Sequence, residues 1–108
     1  MADSIRIVEL LKNMQNYNAS DLFITAHKAP YYRVYGDIKN LDLEVLNESD
    51  FIEFINKNLP PGILDRLMEK RDLDIGLSLS DSERYRLNLF YQKGNMSMVA
   101  RNWLHKSH

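Results

Sequence analysis

The sequence predicts an α+β domain in which a mostly antiparallel sheet is packed by helices. Apolar residues recur with helical spacing near the N-terminus and in the middle of the chain, whereas the last third alternates with period two. Helices that segregate from strands in this way are typical of α+β folds. With 108 residues, of which 44% are hydrophobic and 27% charged, the chain can form one domain with its own core.

The N-terminal part is predicted to hold one helix and two or three short strands. The helix is expected from about Ser4 to Tyr17, capped by Asp3 or Ser4, because four apolar residues share one helical face. These residues are Ile7, Leu10, Leu11 and Met14. The strands are expected at Leu22–Thr25, Tyr31–Tyr35 and Ile38–Leu41, with a tight turn at Gly36 and Asp37 between the last two.

Two further helices are predicted in the middle of the chain. Asn47 is the expected N-cap of the first, and Leu46 and Phe51 have the spacing of a hydrophobic staple. Its buried side is predicted to comprise Phe51, Ile52, Ile55 and Leu59. Pro60 and Pro61 end this helix and are expected to open the next one, since proline is tolerated in a first turn. The buried residues of that third helix are predicted to be Leu64, Leu67 and Met68.

The C-terminal third is predicted to form a meander of three strands. The first strand alternates from Leu73 to Ser80, and the last extends from Met96 to Trp103. The middle strand, Arg84–Gln92, directs Tyr85, Leu87, Leu89 and Tyr91 to one side and Arg84, Arg86, Asn88, Phe90 and Gln92 to the other. Residues 104–108 have no pattern and are expected to be an unstructured tail.

Composition excludes several classes of protein. The chain has no cysteine, so disulfides and thiolate metal sites are excluded. It has neither a stretch of about 18 apolar residues nor an apolar N-terminal signal, which favours a cytosolic location. A net charge of −1 argues against nucleic acid as a partner. No two of the four glycines have the spacing of a G-x-x-x-x-G-K loop, so this chain cannot hold a Walker-type nucleotide site by itself.

Three groups of residues have both a structural and a functional interpretation, and the structural one is favoured for each. They are the histidines His27, His105 and His108; the tyrosines Tyr31, Tyr32 and Tyr35; and the carboxylates Asp72 and Asp74. The histidines are too scattered for a metal site. Strand tyrosines mostly serve packing rather than base stacking. The two carboxylates have no second acidic cluster near them and are interpreted as a solvated strand edge.

Arg84 and Arg86 share one face of the middle strand, and Arg101 lies in the next strand. Pairing across a turn at residues 93–95 makes opposite residues sum to about 188, so that Arg86 faces Asn102 and Arg101 is diagonal to it. A change of one residue in this register would move a side chain to the other face. Grouped guanidiniums can bind phosphate oxygens with two hydrogen bonds each. A solvated arginine face is the alternative, and spacing alone slightly favours it.

Several segments, in the same order, resemble the N-terminal domain of the type IV pilus retraction ATPases, the PilT/PilU group of secretion ATPases. They are Ala19–Ala26 with Pro30, Arg33–Gly36, Asp72–Ile75, Arg84–Gln92 and Val99–Arg101. Details of Ser20–Thr25 and Phe90–Gln92 are most similar to PilU-like members. The resemblance extends from the first helix to about Arg101.

The resemblance implies that residues 1–103 form a PAS-like N-terminal domain and that the RecA-like ATPase domain of the family is absent from this chain. It implies a homo-hexameric parent protein that binds ATP and Mg²⁺, works at the cytoplasmic side of the inner membrane with the pilus platform, and drives pilus retraction. Arg86 and Arg101, with Arg84 as a helper, would contact phosphates of ATP held by a RecA-like domain. The chain alone is not expected to hydrolyse ATP.

Three positions depart from the family pattern. Asn18 and His27 stand where family members usually have glycine, and Ala29 stands where proline is frequent. Two alternatives to the motor hypothesis stay open. One is a free-standing PAS-like interaction module, and the other is a sensor that binds a free nucleotide or another anion on the arginine face.

Overall fold

Six strands form one antiparallel sheet, and three α-helices pack against one of its faces in the part of the chain that the computed structural model describes, residues 4–103. The helices are α1 (Ser4–Asn13), α2 (Glu48–Asn58) and α3 (Ile63–Lys70). The strands are β1 (Ala19–Thr25), β2 (Tyr31–Val34), β3 (Asp37–Asn40), β4 (Asp72–Ser80), β5 (Glu83–Gln92) and β6 (Asn95–Asn102). Their order across the sheet is β3-β2-β1-β6-β5-β4. The predicted α+β class is thus confirmed.

The core lies between the helices and one face of the sheet. Its strand side consists of apolar cross-strand rows, such as Tyr32–Leu22–Ala100–Leu87. Its helix side consists of fully buried residues from all three helices, including Ile7, Leu11, Phe51, Phe54 and Leu67. Because strand side chains alternate between faces, this burial sends the residues in between to the opposite face.

The predicted first helix is correct in its buried face and too long as an α-helix. Ile7, Leu10, Leu11 and Met14 are all buried, as expected. The α-helix ends at Asn13, and residues 14–17 form a 3₁₀ turn that stops at Asn18, whose φ of 54° is left-handed. Such a residue ends a helix by reversing the backbone direction. The proposed cap Asp3 lies outside the described residues, as do residues 104–108 with His105 and His108.

The predicted start of α2 is confirmed. The backbone N–H of Asn47 donates to Oδ2 of Asp50 at 2.7 Å, which is one half of a capping box. Leu46 and Phe51 are both fully buried, as a hydrophobic staple requires. The buried side also includes Phe54, which was not predicted from the sequence, whereas Ile52 is only half-buried.

The prediction for α3 is wrong in its first turn and correct only in part in its buried face, where Leu67 is buried as expected. The helix begins at Ile63, after Gly62 with a φ of 88°, so both prolines precede it. Its buried residues are Ile63 and Leu67, which lie one turn apart. Leu64 is half-buried and Met68 is 50% exposed. The apolar face is therefore rotated toward Ile63.

The register between β5 and β6 differs by one residue from the predicted one. Lys93 and Gly94 have φ values of 53° and 80°, which are typical of a two-residue type I′ turn. Asn95 belongs to the strand and pairs with Gln92, whereas it was predicted as part of the turn. Opposite residues therefore sum to 187 and not to 188. Two strand boundaries also differ by one residue from the predicted ones, since β3 begins at Asp37 and β6 ends at Asn102.

None of the helices in residues 4–103 has the length and apolar character needed to span a bilayer.

Candidate functional site

The face of the sheet opposite the described helices, called the open face below, carries a charged cross-strand row. From β2 to β4 this row is Arg33, Asp21, Arg101, Arg86 and Gly76. The prediction that Arg86 faces Asn102 is wrong: the two-residue turn places Arg86 directly opposite Arg101. Residues that are directly opposite in an antiparallel pair point to the same face. The structure therefore brings the two predicted arginines together.

A cavity of about 280 Å³ lies on the open face at this arginine pair. It is lined by Asp74, Arg86, Leu87, Asn88, Val99 and Arg101. Arg84, the third predicted site residue, points to the same face because it is two residues from Arg86 on β5. It pairs with Ser78 and does not line the cavity. Arg86 and Arg101 thus form the centre of the candidate site, and Arg84 lies outside it.

Arg101 is held by a buried carboxylate. Its Nε lies 3.4 Å from Oδ1 of Asp21, and the other oxygen, Oδ2, accepts a hydrogen bond from Oγ of Ser20 at 2.7 Å. The Asp21 side chain is 9% exposed, whereas that of Arg101 is 72% exposed. The guanidinium of Arg101 therefore contacts Asp21 at one edge and reaches into solvent with the rest.

Arg86 has an aromatic neighbour and no carboxylate partner within residues 4–103. Its guanidinium lies 5.4 Å from the centre of the Trp103 ring, within the range of a cation–π contact. The backbone N–H of Trp103 donates to the carbonyl oxygen of Arg84 at 2.8 Å, which holds this segment beside β5. On its other side Arg86 pairs with Gly76, which has no side chain. The positive charge of Arg86 is thus open to an external anion.

Two carboxylates of β4 lie beside the arginine pair, and one of them, Asp74, lines the cavity. Nδ2 of Asn88 donates to Oδ1 of Asp72 at 2.8 Å and to Oδ1 of Asp74 at 3.0 Å. Both carboxylates are exposed on β4, as the sequence predicts for a solvated strand edge. Among residues 4–103 no group of three histidine or acidic side chains could hold a metal ion. The amide of Asn88 links the two carboxylates, and only Asp74 of the two lines the cavity with the arginine pair.

The three tyrosine candidates and His27 do not line the cavity, and two of the tyrosines serve packing. Tyr32 is fully buried and its hydroxyl donates to the carbonyl oxygen of Leu10, while Tyr31 stacks on Phe23 with ring centres 4.7 Å apart. Tyr35 differs, because it is 79% exposed in a turn. His27 is exposed in a loop with a φ of 69°.

Sequence reasoning did not identify Asp21 and Trp103 as neighbours of the arginines. Asp21 carried a signal, because it is the one charged residue of β1 and precedes three apolar residues. Its partner depends on the pairing of β1 with β6, which are separated by most of the chain. Trp103 was expected to be the last residue of β6, whereas it lies in the turn that follows the strand.

The fold of this chain is similar to that of solved structures of a pilus retraction motor and of ATPases. The chain is similar to the pilus retraction motor PilT, in a crystal structure with bound ADP, at 27% identity and a TM-score of 0.77 over 94% of this chain. It is also similar to the ATPase DotB of Legionella pneumophila, at 21% identity and a TM-score of 0.75 over 92% of this chain. DotB of Yersinia pseudotuberculosis gives 18% identity and a TM-score of 0.71 over 94%.

The matched regions make up 30%, 28% and 30% of those three chains, so this chain spans less than a third of their length. No protein-family model matches the chain, and no curated protein matches it either. The resemblance to the N-terminal domain of PilT-like secretion ATPases is confirmed at the level of the fold.

Proposed function

We propose that this chain is the N-terminal domain of a secretion ATPase and that its open face contacts the phosphates of ATP bound by a RecA-like domain. Arg86 and Arg101 are the main contacts, and Arg84 is a secondary one. The proposed parent protein is a homo-hexameric motor of the PilT/PilU type. It retracts type IV pili, as required for twitching motility, from the cytoplasmic side of the inner membrane, where it works with the pilus platform.

The observation that carries this proposal is the direct pairing of Arg86 with Arg101 at a surface cavity. A guanidinium presents donors in a planar fork that matches phosphate oxygens. Two such forks on adjacent strands can contact different oxygens of one polyphosphate. Arg86 supplies the full charge, because no carboxylate among the described residues neutralises it.

The two arginines complete a site and do not form one alone. The chain has no glycine-rich phosphate loop, and its described residues have no carboxylate cluster for Mg²⁺. A RecA-like domain would hold ATP and Mg²⁺, and the metal would neutralise charge on the phosphates. The arginines of this chain would stabilise the negative charge that develops on the γ-phosphate and would report whether that phosphate is present. The similar PilT structure, which contains bound ADP, supports a nucleotide as the ligand.

A titration of the ¹⁵N-labelled chain with ATP, tripolyphosphate and adenosine tests this proposal. We expect weak, salt-sensitive binding of ATP and tripolyphosphate, with chemical-shift changes centred on Arg86, Val99 and Arg101. Adenosine should cause no such changes, because it has no phosphate for the two arginines to bind. Shift changes elsewhere, or equal changes with adenosine, would contradict the assignment of the site.

The same titration separates the motor domain from the alternative of a nucleotide or anion sensor. A domain that shares its ligand with a second domain should bind it weakly alone, with a dissociation constant of about 1 mM, which is close to 4 kcal/mol of binding free energy. Micromolar binding by this chain alone would instead favour a sensor.

A further inference from the structure

We propose that Asp21 is a positioning residue for Arg101, which holds the Nε edge of the guanidinium so that its two terminal nitrogens face the anion. This inference rests on the proposed function, since it concerns the same anion site. Asp21 does not itself contact the anion.

Asp21 is a buried carboxylate. A carboxylate that is only 9% exposed is costly in the folded state unless its oxygens have partners. Oδ2 accepts the hydrogen bond of Ser20 at 2.7 Å, and Oδ1 lies 3.4 Å from Nε of Arg101. Because each oxygen has a different partner, the carboxylate cannot rotate without losing one of them. Its orientation is therefore fixed by the strand that carries it.

The pairing of β1 with its two neighbouring strands directs Asp21 toward Arg101. Asp21 lies directly opposite Arg101 on one side and Arg33 on the other. Arg33 is directed elsewhere, because its guanidinium lies 5.1 Å from the centre of the Phe23 ring. The pairing of β1 with β2 shifts register between Ala19 and Asp21, and such irregularities often re-aim a side chain. Of the two arginines opposite it, Asp21 thus contacts Arg101 and not Arg33.

The Asp21 contact uses only the Nε edge of the Arg101 guanidinium. A contact through Nε leaves both terminal nitrogens of Arg101 free to donate, and 72% of the side chain is exposed. The negative charge of Asp21 also offsets the repulsion between Arg101 and Arg86 on neighbouring strands. The two guanidiniums can therefore lie close together in the absence of a bound anion.

Two matched substitutions distinguish positioning from a general effect of charge. Asp21→Asn and Asp74→Asn each remove one negative charge close to the arginine pair, and Asp74 lines the same cavity as an exposed side chain. Electrostatics alone predicts tighter binding of tripolyphosphate by both variants. Positioning predicts that Asp74→Asn binds more tightly and that Asp21→Asn binds about two- to tenfold more weakly, as expected for the loss of one oriented hydrogen bond.

The NMR signal of the Arg101 Nε–H group in the ligand-free chain provides a second readout. We expect a protected, ordered Nε–H in the wild type and in Asp74→Asn, and a rapidly exchanging, mobile one in Asp21→Asn. If Asp21→Asn is too unstable to study, Ser20→Ala releases Oδ2 alone and should weaken binding in the same direction by a smaller factor.

The possible failures can be told apart. If the wild type binds tripolyphosphate and Asp21→Asn (or Ser20→Ala, in its place) binds it as tightly or more tightly, the positioning role is overturned while the anion site stands. A mobile Nε–H in the wild type would overturn it too. If the wild type binds no tripolyphosphate at all, the proposed function fails together with this inference.

Discussion

Arg86 and Arg101 lie directly opposite each other on adjacent antiparallel strands, on a face that no described helix covers. Like charges in this position destabilise a sheet, and only Arg101 has a carboxylate within reach among residues 4–103. The sheet therefore carries a local electrostatic cost that an anion would relieve. Such a cost is typical of a binding site, where the folded state keeps an arrangement that its ligand stabilises.

Replacing either arginine should therefore affect function much more than folding. In a full-length parent ATPase we expect Arg86→Ala or Arg101→Ala to lower ATP turnover by about 100-fold, because each removes a donor to developing charge. In the isolated chain Arg86→Ala should keep the free energy of unfolding within about 0.5 kcal/mol of wild type or raise it slightly. Arg101→Ala should lower it by about 1 kcal/mol, because it leaves Oδ1 of the buried Asp21 without its partner. Phosphate release and urea denaturation measure the two quantities.

Arg84→Ala is the matched control for these substitutions. It removes the same charge from the same strand and face, but outside the cavity. Its effect on turnover should be clearly smaller than that of Arg86→Ala. Unchanged turnover in both Arg86→Ala and Arg101→Ala would remove the pair from the mechanism, and equal losses at all three positions would indicate an effect of net charge.

Alternation in the sequence was enough to predict which side chains of β5 point to the open face. Tyr85, Leu87 and Leu89 are buried and Arg84 and Arg86 are exposed, as predicted, because period-two patterning reflects burial directly. Register was harder to predict, since it depends on the backbone of the turn. Lys93 adopts a positive φ, which is uncommon for lysine and therefore was not predicted. As a result the turn is one residue shorter than the predicted one.

Contacts between segments distant in sequence could not be predicted. Asp21 meets Arg101 across 80 residues, and no local pattern encodes that pairing. The same holds for α3, whose buried face depends on where the neighbouring helix and strand lie. Helical periodicity predicted Leu64, Leu67 and Met68 as the buried face, whereas the packing buries Ile63 and Leu67 and leaves Met68 half-exposed.

Two adjacent residues of α3 test this corrected face. Leu67→Ala should lower the free energy of unfolding by about 2–5 kcal/mol, since a fully buried leucine leaves a cavity in the core. Met68→Ala should lower it by about 1 kcal/mol or less, because Met68 is 50% exposed and loses mainly the contact in which its sulfur accepts from the Tyr91 hydroxyl. Urea denaturation of both variants measures the difference. Equal losses would favour the stripe predicted from sequence.

The turn between β5 and β6 holds the register that pairs the two arginines. Gly94→Ala should destabilise the chain by about 1–2 kcal/mol, because Gly94 has a φ of 80° that alanine rarely adopts. Lys93→Asn should stabilise it by a few tenths of a kcal/mol, since asparagine before glycine is preferred in type I′ turns. Thermal denaturation measures both changes. Stabilisation by Gly94→Ala would contradict the assigned turn.

The free energy of unfolding should decrease at alkaline pH because of Tyr85, whose side chain is buried in the core between the sheet and the helices. Burial, and to a lesser extent the nearby charge of Glu83, raises the pKa of Tyr85 from 10.0 to about 12. Between pH 10 and 12 the unfolded chain therefore loses the phenolic proton while the folded chain keeps it. The stabilising contribution of this group is complete below pH 10 and is lost as the pH rises toward 12.

Tyr85→Phe should remove this part of the alkaline loss and leave the rest. The pKa of Tyr32 is also raised, mainly by burial, so a residual pH dependence is expected. Urea denaturation at pH 8 and pH 11 measures the effect: the variant should lose less stability than wild type between these values, by on the order of 1 kcal/mol. An equal loss in wild type and Tyr85→Phe would show that Tyr85 ionises alike in the folded and unfolded chains.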